Sequence, residues 1–262
     1  MQMRFAPLFM AALLLAAPAQ AQLVAAQPAK KDAPKAPAQA AESWDAQDDL
    51  DADPLRGYNR AMFQVNRALD TVVLKPVAQG YRFVVPEKGR TMVSNAVANI
   101  YSPVVFGNSL LQGDVHNSFA TFWRFFLNST FGIGGLFDVA SEAGLKNRTT
   151  DLGQTFAIYG AGPGAYVVLP LIGPSNVRDA LGRVGDMFMN PVMYMDDGVA
   201  IAVAATTAVD MRSNNMKLID DIYATSVDPY VTFKSGYTQK RAADVNRARI
   251  ERQKSLEKAG FQ

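Results

Sequence analysis

A mainly α-helical fold is what the sequence predicts, and three observations carry that prediction. Apolar residues recur at spacings of three and four through most of the middle of the chain, which puts them on one face of a helix. Strict polar–apolar alternation over five or more residues, the mark of a half-buried strand, is hard to find. Helix-starting residues stand ahead of the apolar runs: Asp53-Pro54, Asp114, Ser175 and Asp228-Pro229. The 262 residues suffice for one large domain or two small ones with a sizeable core.

The first 21 residues read as an export signal. Arg4 gives the positive start, Phe5 to Ala17 an uncharged apolar run, and Ala19-Gln20-Ala21 the small residues a signal peptidase reads. The run is too short for a membrane span, which needs about 20 apolar residues. Leu15-Ala16-Ala17 begins like a lipoprotein cleavage box, but Pro18 stands where the acylated Cys belongs, and the chain has no Cys. The expectation is an exported protein without the usual lipid. Residues 22–52, rich in Ala, Pro, Gln, Lys and Asp, have too little apolar surface to offset their ordering entropy and read as a disordered tether. Asp49, Asp51 and Asp53 resemble the start of a calcium loop, but Pro54 falls where its Gly is required and no Glu closes it.

In the body, taken as 53–233, Leu55, Tyr58, Met62, Val65, Leu69 and Val72 form one apolar stripe. Asp53 is the expected cap, and Arg56, Asn59, Arg60 and Arg67 lie opposite the stripe. Lys75-Pro76 is read as a break, followed by a second helix. A helix over 86–100 carries Val93, Ala96, Val97 and Ile100. Asp114 caps a helix containing Phe119, Phe122, Trp123, Phe126 and Leu127, and Ser175 caps one reaching about Met187. Residues 198–223 read as one long Ala-rich helix, and Asp228-Pro229 opens the last. Residues 234–262 carry eight basic and three acidic residues; a solvated helical tail and a contact with anionic headgroups or an acidic partner are both open there.

Charge is unevenly spread. Only 13 of the 119 residues from Thr91 to Val209 are charged, and three stretches, 91–113, 125–137 and 152–177, have no charge at all. A water-soluble bundle keeps a wet face on every helix, so charge should run throughout. Two of these stretches are long enough to cross a bilayer, but their Asn, Ser, Pro and Gly would leave backbone amides unpaired in lipid. Two readings remain open: a helical body with a wide uncharged girdle pressed onto or embedded in a membrane, or a soluble protein with a large core.

Several chemistries are disfavoured. The charge sum of +2 argues against nucleic acid as a partner. The lack of Cys removes thiolate metal sites and cysteine nucleophiles, and the single His116 reads as a polar helix-end residue. No Gly-x-Ser-x-Gly elbow occurs, and the Gly-rich runs 132–135 and 160–164 lack phosphate-loop spacing and read as tight turns or flexible loops. Asp196-Asp197 cannot face one another on a helix and reads as a cap. No cofactor is called for, and the chain is not read as an enzyme.

Five ordered blocks resemble one family. DPLRGYNRAMFQVNRALD (53–70), LLQGD (110–114), RFFLNSTFGIGGLFDVA (124–140), YGAGPGAYVVLPLIGPSNVRD (159–179) and DPYVTFKSGYTQKR (228–241) are similar to the MlaA/VacJ family. The resemblance implies an outer-membrane phospholipid-transport component of Gram-negative bacteria, facing the periplasm. Its expected form is a ring-like helical body in the inner leaflet with a central amphipathic channel. It would associate with a trimeric porin, remove phospholipids mislocalised to the outer leaflet, and pass them to a soluble periplasmic carrier that serves an inner-membrane ABC transporter. Two departures, Phe156-Ala157 for Leu-Gly and Gly164-Ala165-Tyr166 for Gly-Pro-Tyr, bear on local loop geometry.

On that reading Phe125, Phe126, Leu127, Phe131 and Phe137 would meet acyl tails. Arg60, Arg124, Asn128 and Arg178 are candidates for headgroup contact or for pairing with Asp53, Asp138 and Asp179. Asn59, Asp228 and Tyr230 join them as motif positions. The glycine turns could permit a gate to move. The rivals are a lipid hydrolase and a structural, porin-binding membrane protein without transport.

Overall fold

The computed structural model describes residues 53–258, so the export signal, the tether and the last four residues lie outside the described residues. Helix α1 (Arg56–Leu69) passes through a π-helical segment (Asp70–Leu74) into α2 (Lys75–Val84). The expected break at Lys75-Pro76 is therefore a bulge. Pro76 has no N–H for a regular turn, and the wider π-turn, closed by Lys75 N–H donating to Asp70 O, carries the helix past it. Asp53 does not cap α1, which starts at Arg56 with no side-chain cap; its carboxylate turns inward instead.

Helix α3 (Glu87–Leu111) is longer than expected and contains Pro103. It forms a hairpin with α4 (Val115–Thr130), where Asp114 accepts from Asn117 N–H at 3.0 Å as the expected cap. Such a cap contributes about 1 kcal/mol. The turn after α4 uses positive φ at Ile133, Gly134 and Gly135. Short helices α5 (Val139–Glu142) and α6 (Leu152–Ile158) follow, then a two-stranded antiparallel hairpin, β1 (Tyr166–Leu169) with β2 (Gly173–Asn176), that the apolar periodicity does not announce. Helix α7 (Val177–Met189) is capped by Asn176, one residue after the expected Ser175, which lies in β2. After a 3-10 turn (Pro191–Tyr194), the expected single helix over 198–223 is two: α8 (Asp197–Asn214), capped by Asp196, and α9 (Met216–Thr225), with Asn215 between. Helix α10 (Pro229–Lys258) runs unbroken across residue 234 and packs on α6 and β2, so the first turns of the basic segment are part of the body and no solvated tail.

Packing is inverted relative to a water-soluble bundle. The apolar stripe of α1 is exposed at Leu55, Tyr58, Val65 and Leu69, and at Val72 (73%) past the helix end, with Met62 half-buried, while Asn59 on the opposite side is fully buried. On α4, Phe119, Phe122, Phe125 and Phe126 face out while Asn117, Thr121, Arg124 and Asn128 are buried. Buried polar and charged side chains outnumber buried apolar ones among the described residues. Two small apolar clusters remain: Val192, Ala200 and Ala204, and Phe63, Tyr166, Val168 and Tyr230. Among the described residues no helix is long and apolar enough to cross a membrane.

Two glycines separate backbone need from convenience. A Cβ on Gly132 would overlap the carbonyl oxygens of Phe137 and Asn128, both backbone, whereas one on Gly80, within α2, meets nothing. Gly132→Ala should cost about 2 kcal/mol or more and lower the melting temperature by about 4–8 °C. Gly80→Ala should leave melting unchanged or raise it, a gain of about 0.5–1 kcal/mol. Thermal unfolding followed by circular dichroism distinguishes the two.

Candidate functional site

The polar residues selected from the sequence fall into three groups, buried apart from the half-exposed Arg60–Asp228 pair and the partly exposed Asp138. In the first, Asn59 acts as a surrogate backbone partner. Its Nδ2 donates to Asp53 Oδ1 at 2.8 Å and to Tyr166 O at 3.0 Å, and its Oδ1 accepts from Val168 N–H at 2.8 Å. Two turns on, Asn66 repeats the device, donating to Leu169 O and accepting from Leu171 N–H. Helix α1 is thereby stitched to β1 and its turn. Tyr230 OH donates to Asp53 Oδ2, and Lys234 Nζ lies 3.6 Å from the same oxygen. Arg60 pairs with Asp228 at 2.6 Å, and not with Asp53, while its guanidinium stacks 4.7 Å over the Tyr230 ring.

The second group ties the end of α4 to α5. Arg124 donates to both oxygens of Asp138 at 2.9 Å, and Asn128 Nδ2 to Asp138 Oδ1 at 3.1 Å. Asn128 Oδ1 accepts from Ala140 N–H at 2.9 Å. Burial resists charge on Asp138, but bonds from Ser141, Arg124 and Asn128 outweigh it and hold the carboxyl below its usual range. The Gly132–Gly135 turn sits beside this group, and a Cβ on Gly135 would lie 2.5 Å from Asn99 Cβ; the turn is packed shut in this conformation.

The third group holds Arg178 and Asp179, with Arg178 Nε donating to Asp179 Oδ1 at 2.9 Å. Its centre is a residue the sequence reading left in the basic tail. Arg241, on α10, donates to both oxygens of Asp151 at 2.7 and 2.6 Å and to Asp179 Oδ1 at 2.8 Å. Tyr237 OH donates to Asp179 Oδ2 at 2.5 Å. Burial opposes ionisation of both carboxyls, but the Arg241 guanidinium outweighs it and holds both below the usual range. Gly153 makes room for this knot, since a Cβ there would lie 2.5 Å from both the Arg241 guanidinium and Asp179 Oδ1. Next to it, Asp186 accepts from Asn108 Nδ2 at 2.7 Å and Leu152 N–H at 3.1 Å, with no ion pair among the described residues. Burial, reinforced by the Asp151 charge, pushes the Asp186 carboxyl up to about 7.

None of these ten selected residues lines the charged cavity beside the π-segment. That space, about 260 Å³, opens between α1, α8 and α9, and is lined by Arg67, Asp70, Thr71, Lys75, Arg212, Asp220, Tyr223 and Ala224. The aromatic residues assigned to acyl tails lie on the outside: Phe125, Phe126, Phe131 and Phe137 are exposed and Leu127 half-buried. They continue an outer aromatic ladder in which Trp123 makes edge-on contacts with Phe119, Phe122 and Phe126. What the arrangement offers chemically is an apolar exterior able to lie in hydrocarbon, held by a polar interior whose charges are mostly neutralised in place.

Comparison with known proteins bears on the family and the fold. The sequence model of the MlaA lipoprotein family matches residues 51–244. The intermembrane phospholipid transport system lipoprotein MlaA of Escherichia coli (strain K12) is 33% identical over 208 residues, covering 78% of this chain and 82% of the relative. An uncharacterised protein of Rickettsia bellii (strain RML369-C) is 37% identical over 195 residues, 74% of this chain and 76% of its own length. A solved structure reported under the words "Structural basis for maintenance of bacterial outer membrane lipid asymmetry" is similar with a TM-score of 0.67 and 33% identity, over 74% of this chain and 99% of that one.

Asp186 gives the site a signature in pH. Its folded carboxyl titrates near 7, its unfolded one near an ordinary value of about 3.9. The folded state thus holds the proton more tightly, and this stabilisation is complete below pH ~4 and lost as pH rises through 7. Asp186→Asn keeps the shape and removes the titration. The stability of the natural chain relative to Asp186→Asn should fall between pH 4 and 7.5, by at most about 4 kcal/mol. Paired melting curves across that range read the difference, and a constant offset contradicts it.

Proposed function

The chain belongs to the MlaA lipoprotein family, and on that footing we propose that it is a phospholipid-transport component of the outer membrane that maintains lipid asymmetry. Its helical body lies in the inner leaflet as a ring around an amphipathic channel. Phospholipids misplaced in the outer leaflet pass through it to a soluble periplasmic carrier, with a trimeric porin holding the body in place. The protein itself makes and breaks no covalent bond. Direction comes from downstream partners.

The observation that carries this reading is the inverted packing. An exterior bearing Phe131 at 68% and Ile133 at 66% exposure costs free energy in water, about 1.5–3 kcal/mol for each large side chain that could be buried. With no helix able to span among the described residues, such a body rests in one leaflet. Arg60, Arg124 and Arg178, each held by a carboxylate in the body, then position the frame, and the outer aromatic face meets acyl chains.

A deletion strain should expose more phospholipid in the outer leaflet to an impermeant probe, and complementation should restore the normal level. Unchanged asymmetry in the deletion strain refutes transport and favours a purely structural membrane protein; headgroup release by the pure protein would favour a hydrolase. The double variant Phe131→Asp/Ile133→Asp should lose at least ten-fold in vesicle flotation, since it forfeits two large apolar contacts.

A further inference from the structure

The π-segment builds a charged cavity at the edge of the apolar exterior. In a regular α-helix, Asp70 and Lys75, five residues apart, would point about 140° from one another. The wide turn closed by Lys75 N–H on Asp70 O brings them to the same side, where both line the cavity of about 260 Å³. Arg212, only 3% exposed, donates to Asp70 Oδ1 at 2.6 Å and Asp220 Oδ1 at 2.7 Å, and Lys75 pairs with Asp220 at 3.1 Å. Arg67 stands apart from this lattice. The central carbon of its guanidinium lies over the Tyr223 ring, 4.9 Å from the centroid, and the group makes no ion pair among the described residues. Three cations against two carboxylates leave the cavity one positive charge in excess.

Resting on the transport reading, we infer that this cavity is a docking subsite for a phosphate monoanion, the phosphodiester of a phospholipid headgroup, with Arg67 as its principal contact. A guanidinium held at a ring and without a carboxylate partner keeps its fork of N–H donors for an oxyanion, and that fork matches two phosphate oxygens. Size and surroundings favour a lipid. The cavity falls below the 300–1,000 Å³ or so of pockets that enclose a whole drug-sized ligand, so it takes a headgroup and leaves the tails outside. Val72 and Val73, on the same π-segment but outside the cavity lining, are exposed and belong to the apolar exterior next to it.

The test titrates the full chain in detergent with three probes: dihexanoyl-phosphatidylglycerol, inorganic phosphate and phosphate-free dihexanoylglycerol. Binding is read by calorimetry for the natural chain and for Arg67→Gln, which keeps most of the stacking area. The inference expects the short-chain phospholipid to bind, Arg67→Gln to weaken it ten-fold or more at unchanged melting temperature, and dihexanoylglycerol to bind far less tightly. Inorganic phosphate binding as tightly as the lipid, with the same Arg67 dependence, overturns the assignment to a headgroup and makes the site one for free phosphate. Lipid binding that Arg67→Gln does not alter overturns the subsite while leaving transport standing. Failure of the natural chain to bind any phospholipid counts against both. Should Arg67→Gln melt lower, Arg67→Lys provides the second comparison: it keeps the charge, loses the fork, and should retain weak lipid binding.

Discussion

Polar side chains that a helix turns away from an apolar exterior must find their partners inside the protein, and this constraint shapes the rest of the structure. Leaving one buried donor or acceptor without a partner costs about 1–3 kcal/mol, and a charge costs more. The body meets the demand by joining distant segments. Asn59 and Asn66 complete the edges of the β-hairpin, Arg124 and Asn128 fold the turn after α4 onto α5, and Arg241 gathers Asp151 and Asp179 against α10. Close approach is secured by absence of side chain: Gly182 packs on Gly153, and Gly153 on Arg241.

Such pairs specify geometry more than they add stability, because desolvation offsets much of the attraction. Their value here is positional. Each bidentate guanidinium fixes the rotation of its helix, and the rotation decides which face is left outward. The same lattice that holds Arg212 between Asp70 and Asp220 leaves Arg67 on the Tyr223 ring, outside the ion pairs.

Much of the helical content was legible from periodicity, and Asp114 from its capping position. The direction of the stripes was not. Leu55, Tyr58 and Val65 announce a helix by their spacing, but spacing is silent about whether the apolar side faces a core or a bilayer; only the shortage of charge between 91 and 209 hinted at the second. Pairings within one block, such as Arg124 with Asp138, could be guessed. Arg60 with Asp228 could not, since 168 residues separate them. Arg241 was hidden in a basic segment of which Arg247, Arg249 and Lys254 are exposed, and the hairpin was hidden because its second strand, Gly173-Pro174-Ser175-Asn176, has no strand composition and is held by backbone ties to β1.

The outer aromatic ladder is where the account meets its solvent. Trp123 sits in that ladder, partly exposed between Phe119, Phe122 and Phe126. In a Trp44→Phe background its fluorescence reports one position. The most direct measurement is quenching of Trp123 in proteoliposomes by brominated acyl chains compared with aqueous acrylamide. Strong quenching by bromine in the hydrocarbon and weak quenching from the water phase are expected. Ready access to acrylamide with no effect of the brominated lipid would contradict this.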